Sequence, residues 1–123
     1  MTDSILSKKT RKEIDIWLKK YPADKKQSAV LAALREVQHD NNGYLTTELM
    51  DAVADYLDMA KIAVYEVASF YSMFETKPVG KRSISICNNI SCMLMGAENI
   101  VEHVENKLGV KTGESTKDGK FFL

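Results

Sequence analysis

Cys87 and Cys92 are the two cysteines of the chain, and they lie on one short stretch, Cys87-Asn88-Asn89-Ile90-Ser91-Cys92. Two thiols on one loop can grip a single iron as thiolates, which is half of an all-cysteine [2Fe–2S] site. The C-x4-C spacing by itself also admits two small buried hydrophobes, a local disulfide or a reversible thiol pair. Zinc fits less well, because no histidine is near in sequence and a closed structural zinc site takes four ligands. His39 falls at a helix end and His103 on the polar face of a later helix, so both are expected at the surface.

The elements around the thiols strengthen the ligand reading. Ser83-Ile84-Ser85-Ile86 alternates polar and apolar, the period of a half-buried strand. Beyond Cys92, the residues Leu94, Ala97, Val101, Val104 and Leu108 recur at helical spacing. Cys87 is therefore expected to end a strand and Cys92 to open a helix. At a helix start, unpaired N–H groups and the dipole favour a thiolate. The Asn88–Ser91 loop is expected to supply N–H donors toward an anionic centre. Met93, Leu94 and Met95 are expected to pack beneath the loop.

Upstream, the chain reads as four short helices. Thr10-Arg11-Lys12-Glu13 has the form of a capping box, followed by the apolar face Ile14, Trp17, Leu18 and Tyr21. Pro22 ends that helix. A second is expected from about Ala23 or Asp24, with Ala29, Val30, Ala33, Leu34 and Val37 inward, stopped by Asp40-Asn41-Asn42-Gly43. Thr46 is a candidate N-cap for a third helix carrying Leu49, Val53, Ala54 and Leu57. A fourth is expected from about Lys61 to Phe74, burying Ile62, Tyr65, Val67, Ala68 and Tyr71. Val53 to Phe70 has the spacing of a helix-turn-helix, but Lys61 is nearly alone as a base and Glu66 and Glu75 follow it, so two packed helices are the better reading. Thr76-Lys77-Pro78-Val79-Gly80 breaks the periodicity, which places the domain boundary between 1–78 and 79–123. Past Gly109, a helix C′ glycine, Val110–Thr112 is a candidate strand. Lys117-Asp118-Gly119-Lys120 is a turn, and Phe121-Phe122-Leu123 begins another strand.

Composition limits the classes open to the chain. Its 123 residues suffice for one ordinary domain or two small ones. Lysine plus arginine and aspartate plus glutamate number 17 each, so no net charge draws it to nucleic acid or anionic lipid. The bases crowd the first helices (Lys8, Lys9, Arg11, Lys12, Lys19, Lys20, Lys25, Lys26) and the acids the middle, as solvated faces do. No apolar run approaches the ~20 residues of a membrane span, and the N-terminus has no apolar h-region. Without a secretion signal, two cysteines point to ligands or redox thiols rather than a disulfide scaffold.

One family unites these features. The helical unit, then Ala-Ser-Phe-Tyr-Ser-Met-Phe, then Lys-Pro-Val-Gly, then Cys-Asn-Asn-Ile-Ser-Cys-Met-Leu-Met-Gly-Ala-Glu closely resembles the E-type subunit of NADH:quinone oxidoreductase (respiratory complex I) and of related NAD-linked enzymes. The resemblance implies an α+β chain: an N-terminal four-helix unit followed by the first part of a thioredoxin-like α/β domain. It implies a [2Fe–2S] cluster with Cys87 and Cys92 matching the first, C-x4-C pair of four ligands. The family's second pair, C-x3-C, lies further on, and no cysteine follows Cys92 here. The chain is therefore expected to be cut short within its second domain, whether as a fragment or as a natural truncation. The resemblance further implies electron exchange with the flavin (FMN) of an NADH-binding partner subunit, other peripheral-arm partners, no nucleic acid and no membrane insertion. It places the protein in the cytoplasm, peripheral on the cytoplasmic face of the bacterial inner membrane, and not catalytic alone. The alternatives from other classes are a helical interaction module with idle thiols and a Cys87/Cys92 thiol redox switch.

Overall fold

Ser7 sets the first helix. Its hydroxyl accepts from the Thr10 backbone N–H at 3.1 Å, capping α1 (Lys8–Leu18), so the cap lies three residues before the expected Thr10. Thr10 is instead buried. Its Oγ1 accepts from the Ser7 hydroxyl at 2.9 Å and donates to Asp40 Oδ2 at 3.2 Å, tying the start of α1 to the end of α2. In this computed structural model, residues 5–123 are described. They form two compact units, the first running to Pro78 and the second from Val79 to Leu123.

In the first unit, α1 packs on α2 (Val30–Asp40) and α3 (Thr47–Tyr56) packs on α4 (Lys61–Phe70). A 3₁₀ turn, Lys26–Ala29, stands where the second helix was expected to begin. Lys25 there has φ −120° and ψ 39°, outside the helical region, so the α-helix starts at Val30. Ile14, Leu34, Leu45, Val53, Leu57 and Val64 are the largest fully buried side chains. The apolar spacing of α1 to α3 accounts for Ile14, Leu34, Val53 and Leu57. α4 meets expectation in part: Ala68 is buried and Tyr65 and Val67 pack partly against the core, but Val64, one turn before Ala68, faces inward while Ile62 and Tyr71 are exposed. It also ends at Phe70, because Tyr71 is already extended (ψ 125°). The segment beyond is held by Gln38, whose amide donates to the Met73 carbonyl (2.9 Å) and accepts from the Glu75 N–H (2.8 Å). Thr46 caps α3 through the Leu49 N–H at 3.2 Å, as its position in sequence suggested.

The second unit is a small sheet with two helices. β1 (Arg82–Ser83) and β2 (Phe121–Phe122) pair in parallel, with Arg82 opposite Phe121. Ser115 bridges Phe122 on the other side, antiparallel. The Lys117–Lys120 turn closes that hairpin, with Gly119 at φ 70° and its N–H donating to the Thr116 carbonyl. Val110–Thr112 forms no strand among the described residues. Its backbone N–H groups turn instead to two glutamates, with Val110 N–H on the Glu105 carbonyl, Lys111 N–H on the Glu114 carboxylate and Thr112 N–H on the Glu105 carboxylate. α6 (Ala97–Leu108) ends at Gly109 in the left-handed region. Together the helical unit and this unit make an α+β chain with six α-helices among the described residues. Among those residues, no helix is long and apolar enough to cross a membrane.

Candidate functional site

The strand leading to Cys87 is shorter than its alternation implied. Pairing ends at Ser83, and the Ile84 N–H makes the last bond, 2.8 Å to the Phe122 carbonyl. Ile84 and Ile86 are still half-buried and Ser85 and Cys87 exposed, so the alternation persists after the ladder stops. Asn89 then starts α5 (Ile90–Leu94), its side chain accepting from the Ile90 N–H at 2.8 Å. The expected single helix through Leu94 and Ala97 is two helices. Gly96, at φ 99°, turns the chain between α5 and α6. Leu94 consequently lies on the surface rather than on the α6 face, and Met93 and Met95 are exposed rather than packed beneath the loop.

Both thiols are free and exposed. The loop brings them together: the Cys92 thiol donates to the Cys87 sulfur. Cys87 is drawn below the ordinary thiol range, first by the backbone N–H of Asn89 donating to it and then by Cys92. Cys92 is pushed up, because it is the donor in that bond and sits beside the charge Cys87 would carry. The thiolate-prone cysteine is therefore Cys87, before the helix, and not Cys92 within its first turn. A five-residue helix aligns too few peptide dipoles to reverse that order. Capping by Asn89 was missed in sequence, although an asparagine directly before a new helical run is the usual signal.

Among the described residues, no group of three or more histidine, cysteine, aspartate or glutamate side chains converges as a metal site. His39 and His103 are exposed on α2 and α6. The local donor set is thus two sulfurs, one poised to ionise, with a backbone donor on it. That set suits one iron of a thiolate cluster and falls short of a closed four-ligand site.

A profile of the thioredoxin-like [2Fe–2S] ferredoxin family matches residues 14–123. The chain belongs to that family. Among similar proteins is the NADH-quinone oxidoreductase E subunit of Rickettsia bellii (strain RML369-C), 44% identical over 106 residues, covering 86% of this chain and 64% of that protein. Its counterpart in Rickettsia prowazekii (strain Madrid E) is 43% identical over 86% of this chain and 60% of its own length. That of Rickettsia conorii (strain ATCC VR-613 / Malish 7) is 42% identical over 100% of this chain and 74% of its own. The chain thus spans less than two thirds of the length of the first two. Membership in a thioredoxin-like [2Fe–2S] family agrees with the α+β architecture and with a paired-thiol loop following the first strand.

Proposed function

We propose that the protein is the electron-transfer subunit, or part of it, of an NADH–quinone oxidoreductase, with Cys87 and Cys92 as two of four cysteine ligands to a [2Fe–2S] cluster. The observation that carries this reading is the thiol pair: two exposed sulfurs in mutual contact on one loop, in a chain of a [2Fe–2S] family whose relatives are named as NADH-quinone oxidoreductase subunits. Cys87 and Cys92 hold one iron. The Asn89 N–H donates to the Cys87 sulfur and lowers the cost of its negative charge, which also biases the potential of whatever the sulfur binds. When bound, the cluster accepts and releases one electron at a time. Its partner in that exchange is a flavin (FMN) subunit that oxidises NADH, so no residue of this chain handles substrate. The complex holds the subunit on the cytoplasmic side of the membrane.

The test is Cys87→Ser and Cys92→Ser in the subunit purified with its complex. Iron and acid-labile sulfide attributable to this subunit, with the reduced-cluster electron paramagnetic resonance signal, are expected to fall at least about tenfold, a loss that even an outer-shell change can reach. An undiminished cluster in the double variant would refute the assignment. A second reading, a Cys87–Cys92 thiol–disulfide switch, is favoured by the same sulfur contact. It predicts two thiols lost on oxidation and no iron bound.

A further inference from the structure

The helical unit carries a groove in which the thiol loop has no part. Trp17 on α1, Tyr21 just past it, Leu31 and Arg35 on α2 and Met73 beyond α4 line it, with small residues between them. Its volume is about 220 Å³. Pockets for small molecules and cofactors hold roughly 300–1,000 Å³, so this one suits a protruding side chain better. One wall is fixed, because the Gln38 amide donates to the Met73 carbonyl at 2.9 Å. Tryptophan, tyrosine, methionine and arginine are the residues enriched where proteins meet.

Two cations flank the indole. Lys20 Nζ lies 3.7 Å from a ring centroid of Trp17 and Arg35 Cζ 5.9 Å. No carboxylate lines the groove. Among the described residues Lys20 makes no ion pair, and Arg35 meets only its chain neighbour Glu36, at 3.7 Å. We infer that the groove docks an acidic segment of a protein partner, which sets an apolar side chain against Trp17, Leu31 and Met73 and carboxylates against Lys20 and Arg35. The inference is independent of the role of Cys87 and Cys92. Charge decides the occupant. An uncharged apolar cover would strip water from two cations and return nothing to them. An isologous pair of copies would set the same cations against their own counterparts. A carboxylate satisfies both, and the planar fork of Arg35 can donate two parallel hydrogen bonds to it. A phosphate backbone fits less well, since 17 bases against 17 acids leave no excess positive charge to draw it.

Trp17 is the one tryptophan of the chain, so its emission reads the groove directly. The experiment titrates the 123-residue chain with the peptide acetyl-Glu-Glu-Leu-Glu-Glu-amide and follows that emission. A saturable change is expected, weakening as salt is added. Replacing the peptide's leucine by alanine, or its glutamates by glutamine, is expected to weaken binding about tenfold or more. Arg35→Gln is expected to do the same with the helical circular dichroism unchanged, and Lys20→Gln, on exposed chain, serves if the first variant misfolds. No change up to about 1 mM peptide overturns the inference. Equal binding of the glutamine peptide, or binding indifferent to both variants, overturns it too. Emission that shifts with protein concentration alone would give the groove to a second copy, and a response to a DNA oligonucleotide instead of the peptide would give it to nucleic acid; either overturns the inference.

Discussion

At the scale of single residues, Cys87 and Glu105 illustrate how a backbone N–H selects a charged state. Asn89 does so for the Cys87 sulfur. Thr112 does so for Glu105, whose carboxylate accepts from the Thr112 N–H and hydroxyl, both at 3.1 Å, and from Lys111 at 3.4 Å. The Glu105 carboxyl is held below its usual range, chiefly by the Thr112 N–H. A depressed folded-state value means that the stabilisation is present above the unfolded carboxyl value. It is lost as pH falls through the lower folded one. The second unit should accordingly weaken on acidification below about pH 4. Glu105→Gln should flatten that slope, read as the pH dependence of amide exchange at Val110 and Thr112. Asp118, depressed first by the Thr116 hydroxyl and then by the Lys120 N–H, acts in the same direction and should leave a residual slope. An unchanged slope in the variant would contradict the assignment. None of this was legible in the sequence, where Val110–Thr112 looked like a strand. Glu105, which takes the Val110 and Thr112 N–H groups, is five to seven residues back, and Glu114, which takes that of Lys111, is three ahead; periodicity carries no trace of such bonds.

At the scale of elements, the sequence was most legible where a periodic face and a cap coincide. Thr46 and the Leu49–Leu57 run agree with α3 because both signals point to the same frame. It was least legible where tertiary contacts choose the frame. Thr10 has cap chemistry, but Ser7 takes the role and leaves Thr10 to reach Asp40. Ile62 is as apolar as Val64, yet only Val64 is buried. The paired thiol loop was visible, but not the glycine turn that separates α5 from α6, because the apolar spacing runs through Gly96 unbroken. Gly80 shows the opposite case, a glycine whose purpose lies in contact rather than in φ. A Cβ there would stand 2.5 Å from the Phe121 carbonyl carbon and 2.9 Å from its nitrogen, and backbone cannot rotate away. Gly80→Ala should therefore loosen the β1–β2 pairing at a cost of about 1–3 kcal/mol. Amide exchange at Arg82 and Ile84, which donate across that pair, should accelerate while α1 to α4 are untouched. Wild-type protection at both amides would show that the strands part without cost.

At the scale of the whole molecule, the helical unit owns a core made entirely of its own residues, from Leu6 to Phe74. Expressed alone, residues 1–78 should melt cooperatively by circular dichroism. A gradual, featureless loss of helicity would show that the unit depends on the rest of the chain. The two units also differ in how far apart along the chain their partners lie. α1 meets α2 and α3 meets α4 across short connections. β1 must wait for β2, because Arg82 pairs with Phe121 about forty residues later. Closing a loop of that length costs about 3 kcal/mol of chain entropy before any contact repays it. Parallel pairing thus imposes an order of events on a ribosome. The helices can form while later codons are still being read, whereas the thiol loop stays tethered to an unpaired strand until Phe121 and Phe122 have cleared the exit tunnel. During that interval Cys87 and Cys92 hang on mobile chain, so iron delivered early would meet the two sulfurs before the sheet positions them. On the ligand role proposed for Cys87 and Cys92, cluster loading would therefore follow the synthesis of Phe122 by the topology itself, whatever carrier brings the iron.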